Sequence, residues 1–214
     1  MIVKRIAVAG LAVGGLLAGT GVAAADTPAG VADIGGASFT KGGTAVSVPS
    51  LASCSVDGPT SGSSGLVSKP GITFGGGTST CTTKVTDPAN DLTTTTSTAT
   101  GKNFELSALV SAGGKRIRIL QYTVTCDATN RQTNSTWSLS GLSGIPNLPP
   151  QIPPNYSMPL TKSDGTVLAT AVFNGQTLPG DGSMELTALK ITFAPASGVS
   201  GSVTLGHTAC SPTP

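Results

Sequence analysis

Residues 116–126, Arg-Ile-Arg-Ile-Leu-Gln-Tyr-Thr-Val-Thr-Cys, form the longest run of strand-forming residues in the chain, and neither Gly nor Pro interrupts it. At the two-residue period of a strand, Leu120, Tyr122, Val124 and Cys126 share one face, and Ile117 and Ile119 share the other. A strand apolar on one face and then on the other is central in its sheet or changes face at a bulge. Upstream, residues 103–110 place Phe104, Leu106, Ala108 and Val110 on one face. Between the two runs, Gly113-Gly114 supplies the positive φ angles of a tight reversal. These residues predict a β-hairpin at the centre of an antiparallel sheet.

Outward from that hairpin the pattern repeats. Residues 37–40 and 44–48 flank Lys41-Gly42-Gly43, a second hairpin signature. Strands are expected at 78–85, 136–142, 166–173, 183–193 (changing face near Ala188) and 200–209, where Val203, Leu205, His207 and Ala209 fall in phase. The Thr/Ser run 93–100 predicts an edge or fully solvated strand, because four consecutive β-branched threonines favour extended backbone. Residues 26–36 read as a polar leader, 57–65 as an exposed loop, and Asn174-Gly175 as the start of a turn. Six prolines within 145–159 exclude a central strand and predict an extended crossing from one sheet to the other. No window of helical period follows residue 25. Short strands with Gly/Pro punctuation predict an all-β fold, an antiparallel β-sandwich of immunoglobulin-like or jelly-roll-like type. The organisation expected is a β/loop region 26–92 and a sandwich core 93–214, or one continuous domain 26–214.

The N-terminus has the form of an export signal: Lys4 and Arg5, an apolar run 6–22, and the small-residue exit Ala23-Ala24-Ala25, with Asp26 as the first mature residue. The full chain has 12 Lys and Arg against 10 Asp and Glu; Lys4 and Arg5 leave with the signal, so the mature chain is formally neutral. No basic field remains for nucleic acid or an anionic membrane surface. The four cysteines, Cys54, Cys81, Cys126 and Cys210, all lie beyond the signal, and an even count in an exported chain predicts two disulfides. Three pairings are possible. Cys54–Cys81 with Cys126–Cys210 is favoured, being nested least, with each cysteine at the end of a strand-like run. Zinc is the competing reading, carried only by His207-x-x-Cys210.

A catalytic constellation is hard to find. His207 is the one histidine, and no Gly-x-Ser-x-Gly elbow is present. Asp57, Asp164 and Asp181 each precede Gly, as turn carboxylates do. Asp87 and Asp91 flank a Pro turn, with a shared calcium ion as the lesser alternative because calcium-loop spacing is absent. Lys115, Arg116, Arg118 and Arg131 form a small basic patch, read as an edge guard with an anion site as the alternative. Trp137, Tyr122 and Tyr156 are candidates for a sugar-stacking platform, with aromatic core the simpler use. No catalytic, cofactor-binding or metal-ligating residue is expected, and no cofactor.

The order of Ala99–Ala112, Tyr122–Cys126, Trp137–Leu142, Asn155–Leu160, Gly182–Phe193 and Val203–Cys210 resembles the secreted bacterial choice-of-anchor P family. The resemblance implies an exported, Ala/Gly/Thr-rich β domain of actinobacterial type and carries over no catalytic residues. Several such proteins continue into surface anchors; here Ser-Pro-Thr-Pro follows Cys210, so release or non-covalent wall association is expected. The function expected is structural, adhesive or binding and non-enzymatic, with an extracellular or cell-wall partner and no membrane association after signal removal. The alternatives are a secreted hydrolase, which would show Ser or a carboxylate within reach of His207 in a cleft, and a carrier of a small apolar ligand, which would show an apolar cavity.

Overall fold

A computed structural model describes residues 29–212 other than Asp91 and Arg131. The expected signal 1–25 and the start at Asp26 lie outside the described residues. The strands are β1 (Gly30–Lys41), β2 (Thr44–Leu51), β3 (Cys54–Ser55), β4 (Ser61–Ser64), β5 (Val67–Lys69), β6 (Ile72–Phe74), β7 (Gly77–Asp87), β8 (Leu92–Leu106), β9 (Ile117–Thr129), β10 (Thr133–Ser140), β11 (Tyr156–Thr161), β12 (Val167–Thr177), β13 (Met184–Phe193) and β14 (Val199–Cys210). They form two antiparallel seven-stranded sheets. One runs β11-β12-β13-β14-β1-β2 with β3 beside β1. The other runs β10-β9-β8-β6-β5, with β7 also on β8 and β4 on β7. The fold is a β-sandwich. Strands from both 26–92 and 93–214 enter both sheets. No helix among the described residues is long and apolar enough to cross a membrane.

The central hairpin is β8–β9, with Ala99 opposite Val124 and Phe104 opposite Ile119. It differs from the sequence expectation at its turn. Strand β8 ends at Leu106, and Ala108 and Leu109 are buried in the connection, where they plug one end of the core. Gly113, at φ +87, closes a short 3-10 turn over 110–112. Residues 93–100 are not an edge: they are part of β8, paired with β7 on one side and β9 on the other. Their inward positions, Thr95, Ser97 and Ala99, are small and fully buried. Residues 30–36 are likewise no leader; they begin β1, which sits between β14 and β2 with Ala32 and Ile34 in the core. The expected loop 57–65 contains the short strand β4. The proline-rich segment does cross from β10 in one sheet to β11 in the other, and Pro159 falls on β11, an edge strand, where a missing ladder donor is tolerated.

Both disulfides join one sheet to the other. Cys54 on β3 bonds Cys81 on β7, and Cys126 on β9 bonds Cys210 on β14, as the favoured pairing has it. Cys210 is therefore committed to Cys126, which removes the His207-x-x-Cys210 metal reading. Two hydroxyls add polar ties across the interior. Tyr122 Oη donates to the Ile34 carbonyl at 2.7 Å, and Thr208 Oγ1 contacts the carbonyls of Val31 at 3.0 Å and Ser97 at 3.3 Å.

Each sheet is creased along one line. On β12, β13, β14 and β1 the inward face changes at Phe173/Asn174, Ala188/Leu189, Leu205/Gly206 and Ile34/Gly35, with two successive residues buried at each place. The register across these strands does not slip there. The backbone absorbs the change at Asn174 (φ +50), Gly206 (φ +59) and Gly35 (φ +120). Opposite them, Lys102/Asn103 and Leu120/Gln121 are two successive exposed residues on β8 and β9, with Asn103 at φ +51. Hence Asn174-Gly175 is no turn, and β12 continues to Thr177. The crease also moves His207 out of phase with Leu205: Val203, Leu205, Thr208 and Cys210 belong to the buried face, and His207 stands outside.

Candidate functional site

The first concave region lies on the outer side of the crease. Two inward residues in succession on β1 and β14 leave the outer face short of side chains there. Strand β2 bulges opposite, its register on β1 shifting between Gly35 and Ala37. The result is a shallow groove of about 410 Å3, whose wall includes Asp33, Ser38, Ser47, Ser50, Thr204 and His207. Asp33 and His207 are directly opposed on β1 and β14. His207 Nδ1 lies 3.3 Å from Asp33 Oδ2, and the Gly35 N–H donates to Asp33 Oδ1 at 2.8 Å. The Asp33 carboxylate raises the histidine's pKa above its ordinary value, against the opposing effect of burial. A carboxylate that orients an imidazole in this way is the geometry a general base requires, and a nucleophile would have to stand at the other ring nitrogen. Several hydroxyls ring the pair, but among the described residues His207 hydrogen-bonds only to Asp33.

The second is larger and lies at the sandwich end that carries the central hairpin's turn. Sheet edge β11 stands apart from the start of β9 there. Residues 143–147 fold back beside β9, with Arg118 and Ser143 exchanging backbone hydrogen bonds of 3.0 and 2.9 Å. The space left is a cleft of about 600 Å3. Its floor includes Leu109, Ile117, Leu160 and Leu168, all buried; Tyr156 and Met158 of β11 line it, and Lys115 and Lys162 bring the only charges in its lining. Lys162 Nζ is 3.1 Å from Asp164, which is outside the lining. Hydrogen bonds from the Thr166 backbone N–H and side-chain hydroxyl, and then from Lys162, hold the Asp164 carboxyl low, at about 2. The cleft falls within the roughly 300–1,000 Å3 of small-molecule sites.

The other residues singled out by sequence separate. Arg116 and Arg118 both bond Glu105, which keeps that carboxyl below its ordinary range, Arg118 having the larger effect. Together with Glu105 they form an ion cluster in which two guanidinium groups share one carboxylate, leaving one net positive charge in the patch. Arg131 and Asp91 lie outside the described residues. Asp87, Asp164 and Asp181 accept backbone N–H bonds two residues on, as turn carboxylates. The three aromatics make no platform: Tyr122 is buried between the sheets, Trp137 packs on the core, and only Tyr156 reaches the cleft. No group of three or more His, Cys, Asp or Glu that could hold a metal occurs among the described residues. Two features escaped the sequence reading: Asp33 as the partner of His207, and the cleft itself. No family model matches the chain, and comparison with curated proteins and with solved structures gives no match either.

Proposed function

We propose that the chain is a secreted or cell-wall-associated β-sandwich protein that binds a small ligand in the end cleft and is not an enzyme; the resemblance to exported bacterial domains of the choice-of-anchor P kind supports the export. The cleft carries this reading: a concavity of about 600 Å3, apolar below and polar at the rim, is the form that binding sites take. Two inter-sheet disulfides fit an oxidising compartment and hold the surrounding sheets in place. Neither Asp nor Glu nor His lines the cleft, so its acid–base groups are confined to Lys115, Lys162 and Tyr156.

A second reading, the secreted hydrolase, has the Asp33–His207 pair in its favour. It ranks lower because no hydroxyl is hydrogen-bonded to the imidazole among the described residues, and because the groove is shallow. The deciding experiment screens the purified protein on ester, peptide and glycan substrates beside His207→Gln. No turnover by either is expected. Turnover by the parent that falls on the order of 100-fold or more in the variant, as loss of a general base would cause, overturns the proposal.

A further inference from the structure

Resting on the reading of the end cleft as the binding site, we propose that its ligand is an anionic amphiphile: a single alkyl chain laid on the aliphatic floor, with a carboxylate or phosphate head at the lysine rim. The floor offers Leu109, Ile117, Leu160 and Leu168, with Met158 beside them, and these select for an alkyl chain. A sugar would need stacking faces and paired hydrogen-bonding groups, and Tyr156 is the one aromatic in the lining. Gly114 packs closely on this floor: a Cβ there would come within 2.9 Å of both Leu109 Cβ and Leu168 Cδ1.

The head-group preference follows from charge. Lys115 follows Gly114 directly, and a Cβ on Gly113 would meet the Lys162 stem at 3.7 Å, so both lysines stand at the same rim. Lys162 is shared with Asp164. Lys115 has no ion-pair partner among the described residues, and its neighbours Arg116 and Arg118 share the single carboxylate of Glu105, which leaves a further positive charge beside it. The rim therefore keeps one uncompensated positive charge, and no carboxylate in the lining opposes an anion.

The test is calorimetric titration of the whole protein with dodecanoate below its micelle concentration, beside dodecanol, dodecyltrimethylammonium and acetate. Lauroyl lysophosphatidylglycerol is the further arm that separates a free acid from an envelope lipid as the source. Binding of dodecanoate or the lysolipid is expected, with the cation weaker by about tenfold or more and acetate not detected. Lys115→Glu, an exposed substitution, is expected to weaken the anions by about tenfold and leave dodecanol unchanged. Met158→Glu is expected to weaken every alkyl probe; a thermal melt of each variant checks that it is folded. Equal binding of anion, alcohol and cation, insensitive to Lys115→Glu but lost in Met158→Glu, overturns the anionic class and leaves the cleft as the binding site. If no alkyl probe binds, the amphiphile is overturned. In that case a sugar and aromatic fragment screen followed on the Gly113 and Gly114 amides decides the cleft separately, and no response there overturns the binding reading too.

Discussion

Removing one oxygen from the interior tests whether the sheets are tied as described. Tyr122 is 1% exposed and Ile34 is 0% exposed, and the phenol donates across the sandwich to the Ile34 carbonyl at 2.7 Å. Burial, with a smaller effect of the Asp33 charge, pushes the phenol's pKa far up, so it stays a donor at all ordinary pH. Tyr122→Phe keeps the ring and its packing against Gly101 and Gly206, the two glycines on which it lies. The loss is a net hydrogen bond of about 1 kcal/mol plus the cost of a stranded buried carbonyl, about 1–3 kcal/mol when nothing replaces the donor. A destabilisation of about 2–4 kcal/mol is expected, or roughly 4–16 °C in Tm for a domain of this size. Urea unfolding at pH 7 with disulfides intact measures it. A change below about 0.5 kcal/mol with an unaltered m-value would mean that the hydroxyl is solvated or otherwise partnered, and the inter-sheet tie would be refuted.

Two more perturbations follow from the same structure. Titration of denatured, unreduced protein should find no thiol, and the Cys126→Ser/Cys210→Ser pair should cost more than Cys54→Ser/Cys81→Ser; loops spanning 84 and 27 residues give about 4.5 and about 3.5 kcal/mol on the chain-entropy account, and the reverse order would contradict it. The Asp33–His207 pair should be pH-dependent. Its contribution is whole below the unfolded histidine value of about 6.5 and is lost as pH rises through the higher folded value, so the stability gap between the parent and His207→Gln should be larger at about pH 6 than at about pH 8.5. A gap that grows with pH contradicts the assignment.

What was legible in sequence and what was not divides along physical lines. Period-two apolar runs such as 116–126 and 183–193 place strands because burial acts on each residue in turn. Cysteine count and export context identify disulfides. The crease was illegible as a crease, although the change of face near Ala188 was visible. Asn174 and Gly206 look like turn or neutral residues, yet their positive φ is used inside continuing strands. The Thr run 93–100 lacked the apolar signal of a central strand because the sheets there take only Thr95, Ser97 and Ala99 between them. The Asp33–His207 pair joins residues 174 apart and exists only because the first strand lies beside the last. The cleft draws its lining from four separated segments, and the pattern of each shows its own element but not that the four meet.

The claim that binding occurs in the end cleft and not in the His207 groove is tested most directly by a 15N–1H correlation spectrum of the protein titrated with dodecanoate. Shifts are expected on the amides of Leu109, Gly113, Gly114, Gly144, Leu160 and Lys162, with those of Asp33, Thr204 and His207 unmoved. Shifts gathered instead around Asp33 and His207 would contradict it.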